Sequence, residues 1–165
     1  MILREPVLAA GYSIGVSAGN GRAEVLRFMI SPASLPPGLA TLARRLNFPV
    51  DGWVARQRLE IRVDKRFRIT MRHGRRTDDV LLESRLVPLP DDVRDREDLI
   101  DRVMLHVTAT AGRFVGVVTV SPDGRQLLLQ SEVQGGNAER FSSDLEAFLN
   151  EIDYWNAIVR LTDPR

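Results

Sequence analysis

The sequence predicts an α+β protein in which helices pack on a curved antiparallel sheet. Apolar and polar residues alternate over residues 57–72, which is typical of half-buried strands. In residues 93–107 and 141–159 the apolar residues instead recur at spacings of three and four, which is typical of amphipathic helices. Sequential hairpins with helices between them favour helices packed against an antiparallel sheet.

The composition is that of one ordinary globular domain. The chain has 165 residues, of which 44% are hydrophobic, and this suffices for a core without disulfides. It has no cysteine, which excludes a disulfide framework and thiolate chemistry. The 23 basic and 22 acidic residues nearly balance, so net charge does not point to a polyanionic partner. Because the sequence has neither a signal-peptide pattern nor a membrane-spanning apolar run, we expect a cytoplasmic protein without membrane association.

We divide the chain into an N-terminal extension over residues 1–32, a main domain over 33–160 and a short tail over 161–165. In the extension, Tyr12–Ser17 alternates weakly like a strand, and Gly19–Gly21 is a hairpin-type turn signal. The extension is too rich in apolar residues for a free tail. We therefore expect it to be ordered, either as a permanent part of the domain or as a displaceable cover of a binding groove.

The first half of the main domain reads as one helix and three strands. The helix is predicted from about Ser34 to Asn47, with prolines tolerated in its first turn and with Pro49 and Gly52 ending it. The strands follow as an antiparallel meander with one apolar and one arginine-rich face. They comprise Leu59–Val63, Phe67–Met71 and Val80–Val87.

The second half reads as helix, two-strand hairpin and C-terminal helix. Pro90–Asp92 begins a helix, since early acidic residues suit the positive end of the helix dipole. A strand over Arg113–Val120, a turn over Ser121–Gly124 and a strand over Gln126–Leu129 form the hairpin. Arg113–Val120 is apolar on both faces, which is more than a half-exposed sheet requires and indicates a buried contact.

The final helix has the clearest pattern in the chain. Its apolar stripe comprises Phe141, Leu145, Phe148, Leu149, Ile152, Trp155, Ile158 and Val159. We assign the opposite, solvent-facing side to Asp144, Glu146, Glu151 and Asp153.

The residues that carry enzyme chemistry are scarce. Only two histidines exist, His73 in a probable turn region and His106 late in the second long helix, and no spacing links either to a nucleophile or a metal-binding carboxylate. We therefore expect no enzyme activity, no cofactor and no metal site.

An arginine-rich strand face leaves two further functions open. It is formed by Arg58, Arg62, Arg66, Arg68, Arg72, Arg75 and Arg76. These side chains could neutralise phosphates of a nucleic acid. Glu60 and Glu83 dilute the charge, and no aromatic residues are interleaved to stack on bases, so a solvated strand face is favoured over nucleic-acid binding. A non-catalytic subunit of a larger assembly is the other alternative.

Several segments resemble one known family. Leu145–Trp155 resembles the closing helix of the type III secretion effector chaperones, class I, the Tir-chaperone-like family. Leu59–Asp64 and Phe67–Met71 are similar to that family's first two strands, and Val118–Arg125 is similar to its late hairpin. The resemblance extends from Ser34 to Val159, roughly four fifths of the chain.

The resemblance implies a bacterial cytosolic chaperone connected with virulence. Such a protein works without ATP, forms a homodimer, and binds the extended N-terminal segment of a secreted effector to keep it export-competent. It also implies two sets of site residues. The effector-binding set comprises Leu39, Leu42, Leu46, Leu59, Ile61, Phe67, Ile69 and Met71, of which about half belong to the core without the sequence distinguishing them. The dimer set comprises Leu99, Ile100, Val103, Met104, Phe114, Val115, Val117 and Val118.

Overall fold

The computed structural model describes residues 14–15, 35–76 and 78–162. Its elements confirm the α+β class and the predicted helix-on-sheet architecture. In chain order they are β1 (Ile14–Gly15), α1 (Pro37–Leu46), α2 (Asp51–Arg56), β2 (Arg58–Val63), β3 (Phe67–His73), β4 (Asp79–Pro88), α3 (Val93–Ala109), β5 (Val117–Val120), β6 (Gln126–Gln134) and α4 (Ala138–Thr162).

All described strands belong to one antiparallel sheet, in the order β1-β2-β3-β4-β6-β5. The meander is formed by β2, β3 and β4, as predicted. The hairpin does not form a separate sheet, because β6 pairs along the whole of β4, from Asp79 opposite Gln134 to Pro88 opposite Gln126. As a result β5 lies at one edge of the sheet and β1 at the other.

One face of the sheet is apolar and is covered by α1 and α4. In β2, Leu59, Ile61 and Val63 are buried, and the residues between them are more exposed. The register continues this face across the sheet, since Ile61 lies opposite Ile69, Ile69 opposite Ser84, and Ser84 opposite Leu129. The apolar stripe of α4 packs on this face and is buried through most of its length. Each such side chain contributes roughly 1.5–3 kcal/mol through burial.

Hydrogen bonds fix the starts of two helices, α3 and α1. The Asp92 side chain accepts hydrogen bonds from the amides of Arg94 and Asp95 at 2.9 and 3.0 Å, so it caps α3 at the predicted start. At the start of α1, the Gly38 amide donates to the Gly135 carbonyl at 2.6 Å. A Cβ on Gly38 would lie 2.7 Å from that carbonyl oxygen, so glycine allows α1 to approach the loop before α4.

In the main domain one helix was not predicted and the bounds of two strands were wrong. The strand predicted over Gln126–Leu129 continues to Gln134. The first helix ends next to Asn47 as predicted, but Asp51–Arg56, predicted as the end of a helix, form α2, whose Trp53 is fully buried in the core. The predicted strand Arg113–Val120 begins only at Val117, because the amides of Val115 and Gly116 donate to the Glu151 carboxylate instead of to a neighbouring strand. In addition, α4 continues past residue 160 to Thr162.

The N-terminal extension is described only at β1. There Ile14 lies opposite Val63 and Gly15 opposite Arg62, which agrees with the strand pattern of Tyr12–Ser17. The rest of the 1–32 extension, including the turn predicted at Gly19–Gly21, lies outside the described residues.

Candidate functional site

The effector-binding set lies almost entirely in the core. Leu39 and Leu42 of α1, Leu59 and Ile61 of β2, and Phe67, Ile69 and Met71 of β3 are all buried. Leu46 is half-buried and packs against the same core. These side chains support the sheet from its covered face, and their direct contact with an effector stays a prediction.

The arginine-rich face carries its own counterions. Glu60 lies 3.1 Å from Arg58 and 3.4 Å from Arg68, and Glu83 lies 2.6 Å from Arg72. Elsewhere Arg66 pairs with Asp153 at 2.9 Å, and Arg75 lies 3.8 Å from Glu132. Exposed pairs of this kind stabilise the fold by only about 0–1 kcal/mol each. They nevertheless lower the positive potential of the face on which the nucleic-acid alternative depends.

The dimer set separates into a buried and an exposed half. On α3, Leu99 and Val103 are buried, Ile100 is half-buried and Met104 is 48% exposed. Near β5, Val115 is 74% and Val117 63% exposed, whereas Phe114 and Val118 are half-buried. The buried half contributes to the core, and the exposed half leaves apolar surface on α3 and next to the edge strand β5.

Further exposed apolar side chains lie on the same two elements. They are Val93 and Leu105 of α3 and Val120 of β5. We call the exposed residues Val93, Met104, Leu105, Val115, Val117 and Val120 the α3–β5 surface. The helical spacing places Val93 in the apolar stripe of α3 and leaves Leu105 outside it, so neither was predicted to be exposed apolar surface. Leu105 directly follows Met104, so helical spacing places it about 100° away from that stripe.

Glu151 was misassigned to the solvent-facing side of the final helix. Its side chain is 5% exposed. Its two carboxylate oxygens accept hydrogen bonds from the amides of Val115 at 3.1 Å and Gly116 at 2.9 Å. Burial raises the pKa of Glu151, and the two backbone donors oppose this rise. A carboxylate is retained in the interior because these two amides satisfy it.

The geometry offers little to catalysis. Within residues 35–76 and 78–162, no three His, Asp or Glu side chains are grouped so that they could hold a metal ion. His73 packs on Trp53 with ring centroids 4.4 Å apart, and His106 lies in the last turn of α3. None of the helices in the described part of the chain is long and apolar enough to cross a membrane.

Comparison with known proteins gives a fold but no close relative. No family model matches the chain, and no curated protein matches it. Among solved structures, it is similar to a chain of the ExsC-ExsE complex, with a TM-score of 0.53 and 18% identity over 73% of this chain and 90% of that chain. It is also similar to a chain of the HopA1-SchA chaperone-effector complex, with a TM-score of 0.52 and 14% identity over 73% of this chain and 91% of that chain. The protein therefore has a type III secretion effector chaperone-like fold.

Proposed function

We propose that this protein is an ATP-independent cytosolic chaperone that binds the extended N-terminal segment of a type III secreted effector and keeps it export-competent. The observation that carries the proposal is the likeness to two chains, one of them from a chaperone-effector complex, over about nine tenths of their length. Holding an unfolded segment requires apolar contacts and backbone hydrogen bonds rather than catalytic groups. The described residues offer both apolar contacts and backbone hydrogen bonds.

The effector segment would bind at the β2 side of the sheet. The described sheet ends on this side at β1, which pairs with β2 at Arg62 and Val63. An extended segment could add to such an edge through backbone hydrogen bonds. In α2, which directly precedes β2, Val54 is 62% exposed, and Leu46 of α1 is half-buried, so both have surface available to an effector side chain.

The α3–β5 surface would form the contact between two copies of the chain. β5 lies at the sheet edge, and its neighbouring apolar side chains Val115 and Val117 are more than half exposed. Val115, Val117 and Val120 lie close together in the chain at this edge, and a group of exposed apolar residues is typical of an interaction site. The predicted dimer set and this surface share Met104, Val115 and Val117, which supports a homodimer through this face.

A charged substitution in this surface tests the homodimer. Val117→Asp would place an unpaired carboxylate in the contact, at a cost of several kcal/mol, on the order of that for a buried uncompensated charge. Val54→Asp is the matched control, since Val54 is 62% exposed and Val117 63%, but Val54 lies on α2. Sedimentation equilibrium at micromolar concentration should give a dimer for the wild type and Val54→Asp, and a monomer for Val117→Asp. A wild-type monomer, or a Val117→Asp dimer of unchanged affinity, would contradict the proposed contact.

A further inference from the structure

Glu151 is a buried acid inside the apolar face of α4. It lies three residues after Phe148 and four before Trp155, so successive turns place the three side chains on one side of the helix. Phe148 is 1% exposed, Trp155 2% and Glu151 5%. A carboxylate in such surroundings must be fully hydrogen-bonded or it would strongly destabilise the fold.

Its partners are two consecutive amides just before β5. One oxygen accepts from the Val115 amide and the other from the Gly116 amide, at 3.1 and 2.9 Å. The approach is close, because a Cβ on Gly116 would overlap the Glu151 Oε2 and would lie 2.9 Å from the Leu129 Cδ1. The contact therefore fixes both the position of this backbone and the direction in which its peptide groups point.

The aromatic residues beside this contact hold the same segment from one side. The Phe114 ring packs against Tyr154 of α4 with centroids 4.7 Å apart, and the Arg113 guanidinium lies 5.3 Å from the Phe114 centroid. Val115 and Val117, in contrast, stand 74% and 63% exposed. Along this anchored backbone Phe114 therefore packs on α4, and the two valines that follow it point to solvent.

We propose that Glu151 is the positioning residue of the subunit contact. Its carboxylate takes the two amides that would otherwise extend β5, ends the strand at Val117, and presents Val115 and Val117 to the second copy of the chain. This role rests on the proposed homodimer. It connects α4, the helix that covers the core face of the sheet, to the edge where two copies meet.

The role requires two acceptors and not merely a side chain of this shape. Glutamine has almost the same size, but its amide nitrogen is a donor and would face one of the two backbone N–H groups. Glu151→Gln should therefore keep the core filled and remove the buried charge. It should also release the backbone amide of either Val115 or Gly116 from its hydrogen bond. Glu146→Gln is the control, because Glu146 lies on the same helix, is half-exposed and carries the same charge.

Two measurements on the full-length variants test the proposal. Sedimentation equilibrium should show a dimer dissociation constant about tenfold or more higher for Glu151→Gln, because Val115 and Val117 are then no longer held in place before the two copies meet, and unchanged for Glu146→Gln. Thermal unfolding distinguishes positioning from simple support of the fold. We expect Glu151→Gln to weaken the dimer far more than it lowers the unfolding temperature, and Glu151→Asp, whose shorter side chain keeps both acceptors, to restore part of the affinity.

The outcomes separate this inference from the proposed function. A wild-type dimer whose affinity is the same in Glu151→Gln would overturn the positioning role and leave the homodimer standing. The positioning role would also be overturned if Glu151→Gln lowered the dimer affinity only as much as its lower unfolding temperature explains. A wild-type monomer would overturn the homodimer itself, and the positioning role with it.

Discussion

Gly116 and Gly136 show how differently two glycines of one chain can be constrained. A Cβ at Gly116 would meet the Glu151 carboxylate and the Leu129 side chain, whereas a Cβ at Gly136 would have no heavy atom within 4 Å. We predict that Gly116→Ala lowers the free energy of unfolding by about 1–3 kcal/mol, the range for forcing extra volume into a packed site. Gly136→Ala should change it by no more than about 0.5 kcal/mol.

Chemical denaturation of the two variants measures this difference. Equal stabilities would mean that the segment before β5 relaxes freely, and the close approach of Glu151 to Gly116 would then have no structural consequence.

Glu151 also shows what a sequence pattern can and cannot predict about a side chain. Its spacing from Phe148 and Trp155 was sufficient to place it on the buried stripe, yet an acidic residue is almost never buried without partners, and it was assigned to solvent. The partners that reverse this preference lie 35 and 36 residues earlier in the chain. A local pattern contains no information about contacts at that separation.

The effector-binding and dimer sets have the same limitation. Helical and strand periodicity correctly identified apolar positions such as Ile61, Ile69 and Val103, which are buried. Periodicity does not tell whether an apolar side chain faces the chain's own core or a partner. That distinction became visible only through the exposure of Met104, Val115 and Val117.

Among the secondary-structure elements, the strands of the meander were the most predictable. In β2 and β3 apolar residues alternate with polar ones, mostly arginines, and the Asp64 and Lys65 that interrupt them adopt φ of 52° and 58°, as a tight hairpin turn requires. The short helix α2 was missed because its six residues are too few to establish a helical period. The length of β5 was overestimated because its apolar run continues into a segment whose amides bond to a side chain.

At the other edge of the sheet, β1 raises the question of what the N-terminal extension does. We propose that the extension is ordered and either a permanent part of the domain or a displaceable cover of the effector groove. Its pairing with Arg62 and Val63 puts it on the strand edge where an effector segment would add. Deleting residues 1–30 distinguishes these roles, since it removes both paired residues of β1.

We expect one of two results from that deletion. A large loss of thermal stability would identify the extension as a structural addition, because its apolar side chains would then be part of the fold. Unchanged stability with tighter effector binding would identify a displaceable cover, because the β2 edge would become available. If neither stability nor binding changed, the extension would be dispensable and the proposal would be wrong.

Across the molecule, the sheet has a different chemistry at each of its edges and faces. One face is covered by helices, the other carries arginines paired with Glu60 and Glu83, and the β5 edge is apolar. This arrangement favours protein partners over polyanions. Binding to nucleic acid would weaken steeply as salt rises, whereas an effector held by apolar contacts and backbone hydrogen bonds should stay bound in moderate salt.

Purification of the tagged chain, in moderate salt, from the cells that encode it tests the central claim most directly. The complex should contain two copies of the 18.5 kDa chain and one secreted protein, as measured by light scattering and mass spectrometry. Limited proteolysis should show that the chaperone protects an N-terminal segment of that protein, since an extended segment is cleaved readily unless it is bound. A monomer that retains no secreted protein, or that carries salt-sensitive nucleic acid instead, would contradict the account.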